Sequence, residues 1–140
     1  MTDAHGKYQP MHEAHSLEQA ELAMRAAANA MDSFTQLRGW EKFQSNWDHE
    51  GANAPILSSL RAASQFAGLL DNRFIMPEPM LNDTGRAGLF WSEDNLYADI
   101  EFIENNFIAY YIERNNGRHK GVVAFDHQQI PPVLVPLLKI

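Results

Sequence analysis

Residues 85–125 read GRAGLFWSEDNLYADIEFIENNFIAYYIERNNGRHKGVVAF, and this stretch decides the fold. β-Branched and aromatic residues recur there in short runs separated by polar segments, a pattern that is typical of antiparallel strands. The runs predict four strands, at residues 87–91, 96–103, 107–114 and 121–125. The intervening turns are expected at residues 92–95, 104–106 and 115–120.

Residues 96–103 carry the clearest strand pattern, because their side chains alternate in character with a period of two. Ala98, Ile100 and Phe102 fall on one face. The other face carries Tyr97, Asp99, Glu101 and Ile103. The pattern predicts a half-buried strand with an acidic outward face.

Two helices are expected to cover the apolar side of this sheet. Ser16 and Gln19 match a capping box, and apolar residues at three–four spacing run from Leu17 through Met24 to Phe34. Pro55 then opens a second helix, and the proline-containing segment 74–81 reads as an edge strand. We therefore predict an α+β fold, with two N-terminal helices packed on a four- to five-stranded antiparallel meander.

The composition indicates one soluble domain. A chain of 140 residues predicts a single domain, which we place at 16–140 behind a mobile polar tail at 1–15. It has no cysteine, no apolar run near the ~18 residues of a membrane helix, and no secretory signal pattern. These features favour the cytoplasm and no membrane partner. The net charge of −7 argues against direct nucleic-acid binding and permits a basic protein partner.

The C-terminal residues 130–140 are almost all apolar, and three prolines interrupt them. A long regular helix through Pro136 is disfavoured. Two alternatives remain open: a short helix that closes the core, or an exposed apolar tail through which the chain self-associates.

Asp48, His49 and Glu50 form a compact acid–base cluster. An enzymatic interpretation makes His49 a general base or a metal ligand. The structural interpretation has Asp48 bonding the backbone amides of its loop. We favour the structural interpretation because no nucleophile accompanies the cluster. His12 and His15 lack the zinc-protease spacing, and no metal or other cofactor is expected.

The hairpin region is the candidate functional surface, because residues 87–112 contain no lysine or arginine. Charges of one sign attract an oppositely charged partner, and tyrosines are frequent binding anchors. We predict a non-catalytic protein-binding module, such as an inhibitor, an antitoxin-like protein or an accessory subunit, that meets a basic partner. The expected binding residues are Glu93, Asp94, Asp99, Glu101, Glu104, Tyr97 and Tyr111.

The competing hypothesis is a small metal-dependent hydrolase. Asp99 and Glu101 project from one strand face, and paired carboxylates hold divalent ions. His49 or His119 would assist them. Carboxylates two residues apart on an exposed strand are more often plain solvated side chains, so we prefer the non-catalytic interpretation.

Residues 40–103 resemble a group of small uncharacterised bacterial proteins with a Trp-Asp-x-x-Gly-Ala loop and a C-terminal β-hairpin. The resemblance is carried by Trp47-Asp48-x-x-Gly51-Ala52-x-x-Pro55, by Phe90-Trp91, and by Leu96-x-Ala98-x-Ile100-Glu101-Phe102. It implies a phage-defence or toxin–antitoxin context and framework roles for Trp47, Gly51, Pro55 and Trp91. We assign Trp40 to the same framework, because Phe43 follows it by three residues and Trp47 by seven. Other members have small or aromatic residues at the His49-Glu50 positions, which weakens His49 as a shared base.

Overall fold

The computed structural model describes Ala20, Glu21, Met24 and residues 34–140. Residues 34–39 are helical, further α-helices are α1 (Leu57–Leu69) and α2 (Val135–Leu138), and 3-10 turns lie at Trp40–Lys42 and Glu104–Asn106. The strands are β1 (Glu78–Leu81), β2 (Ala87–Glu93), β3 (Leu96–Ile103), β4 (Phe107–Arg114) and β5 (Gly117–Ala124).

The strands form one five-stranded antiparallel sheet in the order β1-β2-β3-β4-β5, so the predicted meander is confirmed. The predicted turn at residues 115–120 is wrong. Asn115 and Asn116 both have positive φ, and together they complete the β4–β5 turn in two residues. Asparagine tolerates this conformation, which two-residue hairpins require. β5 therefore begins at Gly117, four residues earlier than predicted.

One face of the sheet, which we call the core face, carries Ala98, Ile100 and Phe102 of β3. Helix α1 packs on this face against β2 and β3. Phe66 of α1 meets the ring of Phe102 edge to face at 5.5 Å. The second predicted helix thus lies where the apolar pattern of the sheet requires a covering layer.

The C-terminal segment completes this core. Leu134 and Leu138 are fully buried, and Ile75 N–H donates to the carbonyl of Leu138 at 3.0 Å. The short-helix alternative therefore holds. The exposed-tail alternative is wrong, because most of the apolar side chains needed for self-association are inside the protein. Val133 and Ile140 are the large apolar side chains of this segment that stay exposed.

The first predicted helix falls largely outside the described residues, as do the expected tail at 1–15 and its histidines. Residues 34–39 are helical, and Leu37 is fully buried beside α1. The apolar face predicted for the first helix includes Met24, which is 71% exposed. In the part of the chain that the structure describes, none of the helices combines the length and the apolar character needed to cross a bilayer.

Candidate functional site

The sheet face opposite the core face carries Tyr97, Asp99 and Glu101 of β3, and we call it the open face. Helix α1 packs on the core face, and the β1–β2 loop reaches the margin of the open face, where Asn82 Nδ2 donates to Glu101 Oε1. Large side chains on this face remain accessible: Tyr97 is 50% exposed, Phe107 41% and Val122 61%. A sheet face with this much accessible apolar and aromatic surface is typical of an interaction surface.

Asp99 lies at the centre of the open face between two aromatic residues. Phe90 of β2 is directly opposite Asp99 on one side, and Tyr111 of β4 is directly opposite on the other. Directly opposed residues have Cβ atoms about 5 Å apart, so the three side chains are neighbours. Tyr97 closes the group, because its ring meets that of Tyr111 edge to face at 6.4 Å.

The carboxylate of Asp99 is half-buried in this aromatic setting, and burial raises its pKa above the usual range. The neighbouring charge of Glu101 raises the pKa further. Within the described residues Asp99 has no hydrogen-bond or ion-pair partner, whereas Glu101 accepts a bond from Asn82 Nδ2 at 3.1 Å. Asp99 is thus a partly desolvated anion that an incoming cation would stabilise.

Glu104 does not belong to this group. Its carboxylate is held by the guanidinium of Arg86 through two contacts of 2.8 Å, which lowers the pKa of Glu104. The pair lies at the β3–β4 end of the sheet. Because Arg86 already satisfies it, Glu104 contributes little attraction for a further cation, and its assignment to the binding surface weakens.

Glu93 and Asp94 lie at the opposite end of the sheet, where the β2–β3 and β4–β5 turns come side by side. They line a shallow cleft of about 400 Å³ together with Asn95, Asn116 and Arg118. The five acidic residues predicted to act together are therefore divided among three places. Two of them, Asp99 and Glu101, share the open face with Tyr97 and Tyr111.

The aromatic framework candidates lie on the core side or in the loop before α1. Trp91 is almost fully buried, and its indole Nε1 donates to the carbonyl of Ile75 at 2.6 Å. Trp40 is half-buried against the core. Trp47 Nε1 donates to the carbonyl of Asn53 at 2.8 Å, which ties the two ends of its loop.

The cluster of Asp48, His49 and Glu50 has the arrangement that the structural interpretation predicts, with Asp48 bonded to backbone amides of its own loop. Asp48 Oδ1 accepts backbone N–H bonds from Glu50 at 2.9 Å and Ala52 at 3.1 Å. The backbone hydrogen bond from Glu50 is the main reason that the pKa of Asp48 is lowered. Gly51 has φ +86°, which favours glycine, and Pro55 is half-buried before α1.

The histidines named for a hydrolase do not join Asp99 and Glu101. His119 is paired with the buried Ile112, which places it on the core side of the sheet. His49 is exposed in the loop before α1. A search of residues 34–140 with Ala20, Glu21 and Met24 finds no group of three or more histidine, aspartate or glutamate side chains that could hold a metal ion.

Phe90, Phe107 and Val122 belong to the open face, and the sequence reasoning did not assign them to the binding surface. Phe90 follows from the register, because a two-residue turn at Asp94-Asn95 sets it opposite Asp99. Placing that turn over four residues concealed the pairing. Val122 lay inside the predicted strand 121–125, but the sequence reasoning assigned that strand no partner register and therefore no face.

Comparisons with models of protein families, with curated proteins and with solved structures found no match to this chain. The resemblance of residues 40–103 to small bacterial proteins with a Trp-Asp-x-x-Gly-Ala loop therefore stays a prediction.

Proposed function

We propose that this chain is a non-catalytic protein-binding module, an inhibitor, antitoxin-like protein or accessory subunit, whose open face receives a basic partner. The observation that carries the proposal is Asp99: a half-buried carboxylate with no hydrogen-bond partner in residues 34–140, set between Phe90 and Tyr111 on an uncovered face. A lysine or arginine of the partner would supply the missing charge pairing.

Aromatic rings next to the carboxylate favour the same occupant. A cation over the face of an aromatic ring gains about 0.5–2 kcal/mol, more when the site is desolvated. Tyr97 and Tyr111 flank Asp99 on the accessible side, and each combines a large apolar area with a polar tip. The open face thus fits a basic side chain surrounded by apolar partner surface.

The charge distribution supports encounter with a basic protein. β2 and β3 carry no lysine or arginine, and β4 carries none before Arg114. The acidic part of the open face, on β2 and β3 of a protein of net charge −7, raises the association rate with a cationic partner in a salt-dependent way. The hydrolase alternative has no comparable support, since His119 lies on the other side of the sheet.

The proposal is tested with two double variants that remove the same charge from different places. Asp99→Asn with Glu101→Gln neutralises the open face, and Glu93→Gln with Asp94→Asn neutralises the hairpin turn. Each protein is used as bait in quantitative affinity capture, and captured basic proteins are then titrated against it by calorimetry.

The open-face variant is expected to bind its partner at least about tenfold more weakly, the size typical of losing a close interfacial charge pair. The turn variant is expected to change affinity much less. An equal loss of affinity in both double variants would show that only the net charge of the protein matters, which contradicts a site on the open face. No loss in either would end the proposal.

A further inference from the structure

β5 is an edge strand of eight residues, and in the described part of the chain it pairs with β4 alone. Almost all of its side chains are exposed. An edge of this length offers a row of backbone donors and acceptors to another strand.

The register identifies which backbone groups face outward. In an antiparallel pair, alternate residues bond to the neighbouring strand, and the intervening ones point away from it. Gly117 closes the two-residue turn opposite Arg114, and Phe125 N–H donates to the carbonyl of Asn106 at 2.8 Å. The odd-numbered residues therefore face β4. The outward-facing residues are Arg118, Lys120, Val122 and Ala124.

The other edge of the sheet is protected. β1 has only four residues, and Asn82 N–H donates to the carbonyl of Arg86 at 2.9 Å, so its even-numbered residues face β2. Pro79 is thus turned outward, where it has no N–H to offer. Proline on an edge strand blocks pairing with another chain. β5 has no proline, so the two edges of one sheet are treated differently.

The outward-facing residues of β5 also place their side chains on the open side of the sheet, because they are paired with Phe107, Ala109, Tyr111 and Glu113. Arg118 and Lys120 therefore point to the same side, followed by Val122. Arg118 makes one 3.5 Å contact with Glu113 Oε1 but is 79% exposed, so its guanidinium keeps donors for a second carboxylate. A second copy of β5 paired antiparallel about His119 would set Arg118 against Lys120, and like charges directly opposed are destabilising. The two cationic side chains of this row are instead complementary to carboxylates on an added strand.

We propose that the β5 edge binds an extended strand of a partner protein, in which two carboxylates lie opposite Lys120 and Arg118 and an apolar residue lies opposite Val122. Backbone hydrogen bonds supply affinity in such strand addition, and the alternating side chains supply specificity. Lys120 is directly opposite Tyr111, the neighbour of Asp99, so this edge borders the open face. The inference rests on the backbone groups and cations of β5 and does not require the basic partner proposed above.

The test uses the full chain and a capped peptide that can pair with β5. At alternate positions the peptide carries one valine, to face Val122, and two glutamates, to face Lys120 and Arg118; threonine fills the positions between them. A second peptide carries lysine at both glutamate positions. The key variant is Val122→Pro, which removes an outward N–H and keeps every bond to β4. Gly121 precedes it and tolerates a following proline. Val122→Thr is the control that keeps the N–H.

The wild-type protein and Val122→Thr are expected to bind the glutamate peptide, and Val122→Pro to bind at least about tenfold more weakly. Amide signals of Arg118, Lys120 and Val122 should shift in NMR spectra and become protected from exchange. Unfolding curves establish that Val122→Pro is folded.

Three results overturn the inference. The first is equal peptide binding by Val122→Pro and Val122→Thr. The second is that the wild-type protein binds the lysine peptide as well as the glutamate peptide, or binds neither up to about 1 mM. The third is a wild-type dimer in light scattering that Val122→Pro abolishes, which would make a second copy the occupant.

Discussion

Ser59 is a single hydroxyl that joins helix α1 to the sheet. It is 4% exposed, donates to the carbonyl of Phe102 at 2.6 Å and accepts from the N–H of Ala87 at 2.8 Å. In the β2–β3 ladder, Ala87 and Phe102 follow the last paired residues, Gly88 and Glu101, and at that position the two backbones would hydrogen-bond to each other. The Ser59 hydroxyl takes the place of that direct backbone bond. Ser59→Ala would leave one buried donor and one buried acceptor without partners.

The expected loss follows from that count. An unsatisfied buried backbone group costs about 1–3 kcal/mol, so two cost about 2–6 kcal/mol. Alanine regains about 0.5 kcal/mol of helix propensity, and we expect a net loss of about 1.5–5.5 kcal/mol. For a chain of this size, that lowers Tm by roughly 10 °C. The free energy of unfolding is measured by urea titration followed by circular dichroism.

Ser64→Ala is the matched control. Ser64 is also buried in α1, at 6% exposure, and has no hydrogen bond to another described residue. Its removal should leave stability unchanged or slightly raised, through helix propensity. If the two variants lose the same free energy, the bridging role is refuted. That result would show that the strand ends close and pair Ala87 directly with Phe102.

Two further predictions concern Gly85 and Asp99. Gly85→Ala should destabilise the protein by about 2 kcal/mol or more, because φ is +91° and the new Cβ would lie 2.3 Å from the carbonyl oxygen of Ala54. Gly68→Ala, in open space on α1, should instead stabilise by about 0.5–1 kcal/mol in the same urea titration. The raised pKa of Asp99 means that the folded state disfavours its charged form. The contribution of Asp99 to the free energy of unfolding therefore falls as pH rises from the unfolded pKa of 3.8 through the folded pKa. Asp99→Asn should therefore be more stable than wild type at pH 7, and the difference should vanish near pH 3; a variant less stable at pH 7 would contradict the assignment.

The sheet was predictable from the sequence because its signals are local. Alternation in residues 96–103 fixes which side chains share a face, and asparagine at 115 and 116 marks a tight turn. Once the β2–β3 and β4–β5 turns have two residues each and the β3–β4 turn has three, the register follows, and Phe90 falls opposite Asp99. The turns at 92–95 and 115–120 were predicted too wide, so the face of residues 96–103 was right but their cross-strand neighbours were not predicted.

Other features depend on contacts between distant residues. Arg86 and Glu104 are 18 positions apart and meet because two turns lie at one end of the sheet, so the sequence could not show that Glu104 is already paired. Ser59 sits among apolar residues of a helix and looks like a fault in the stripe. The apolar C-terminal residues were compatible with burial or exposure until the surface left open by α1 was known.

Asp99 and the exposed aromatic side chains lead to the same conclusion by different physical routes. A half-buried carboxylate without a partner lowers the stability of the folded chain, and so does apolar surface left in water. An asparagine at position 99 and polar residues at Phe107 and Val122 would be compatible with the same strands. A partner that covers the open face would turn both features into binding energy. The coincidence of the two on one face is what an interaction surface predicts.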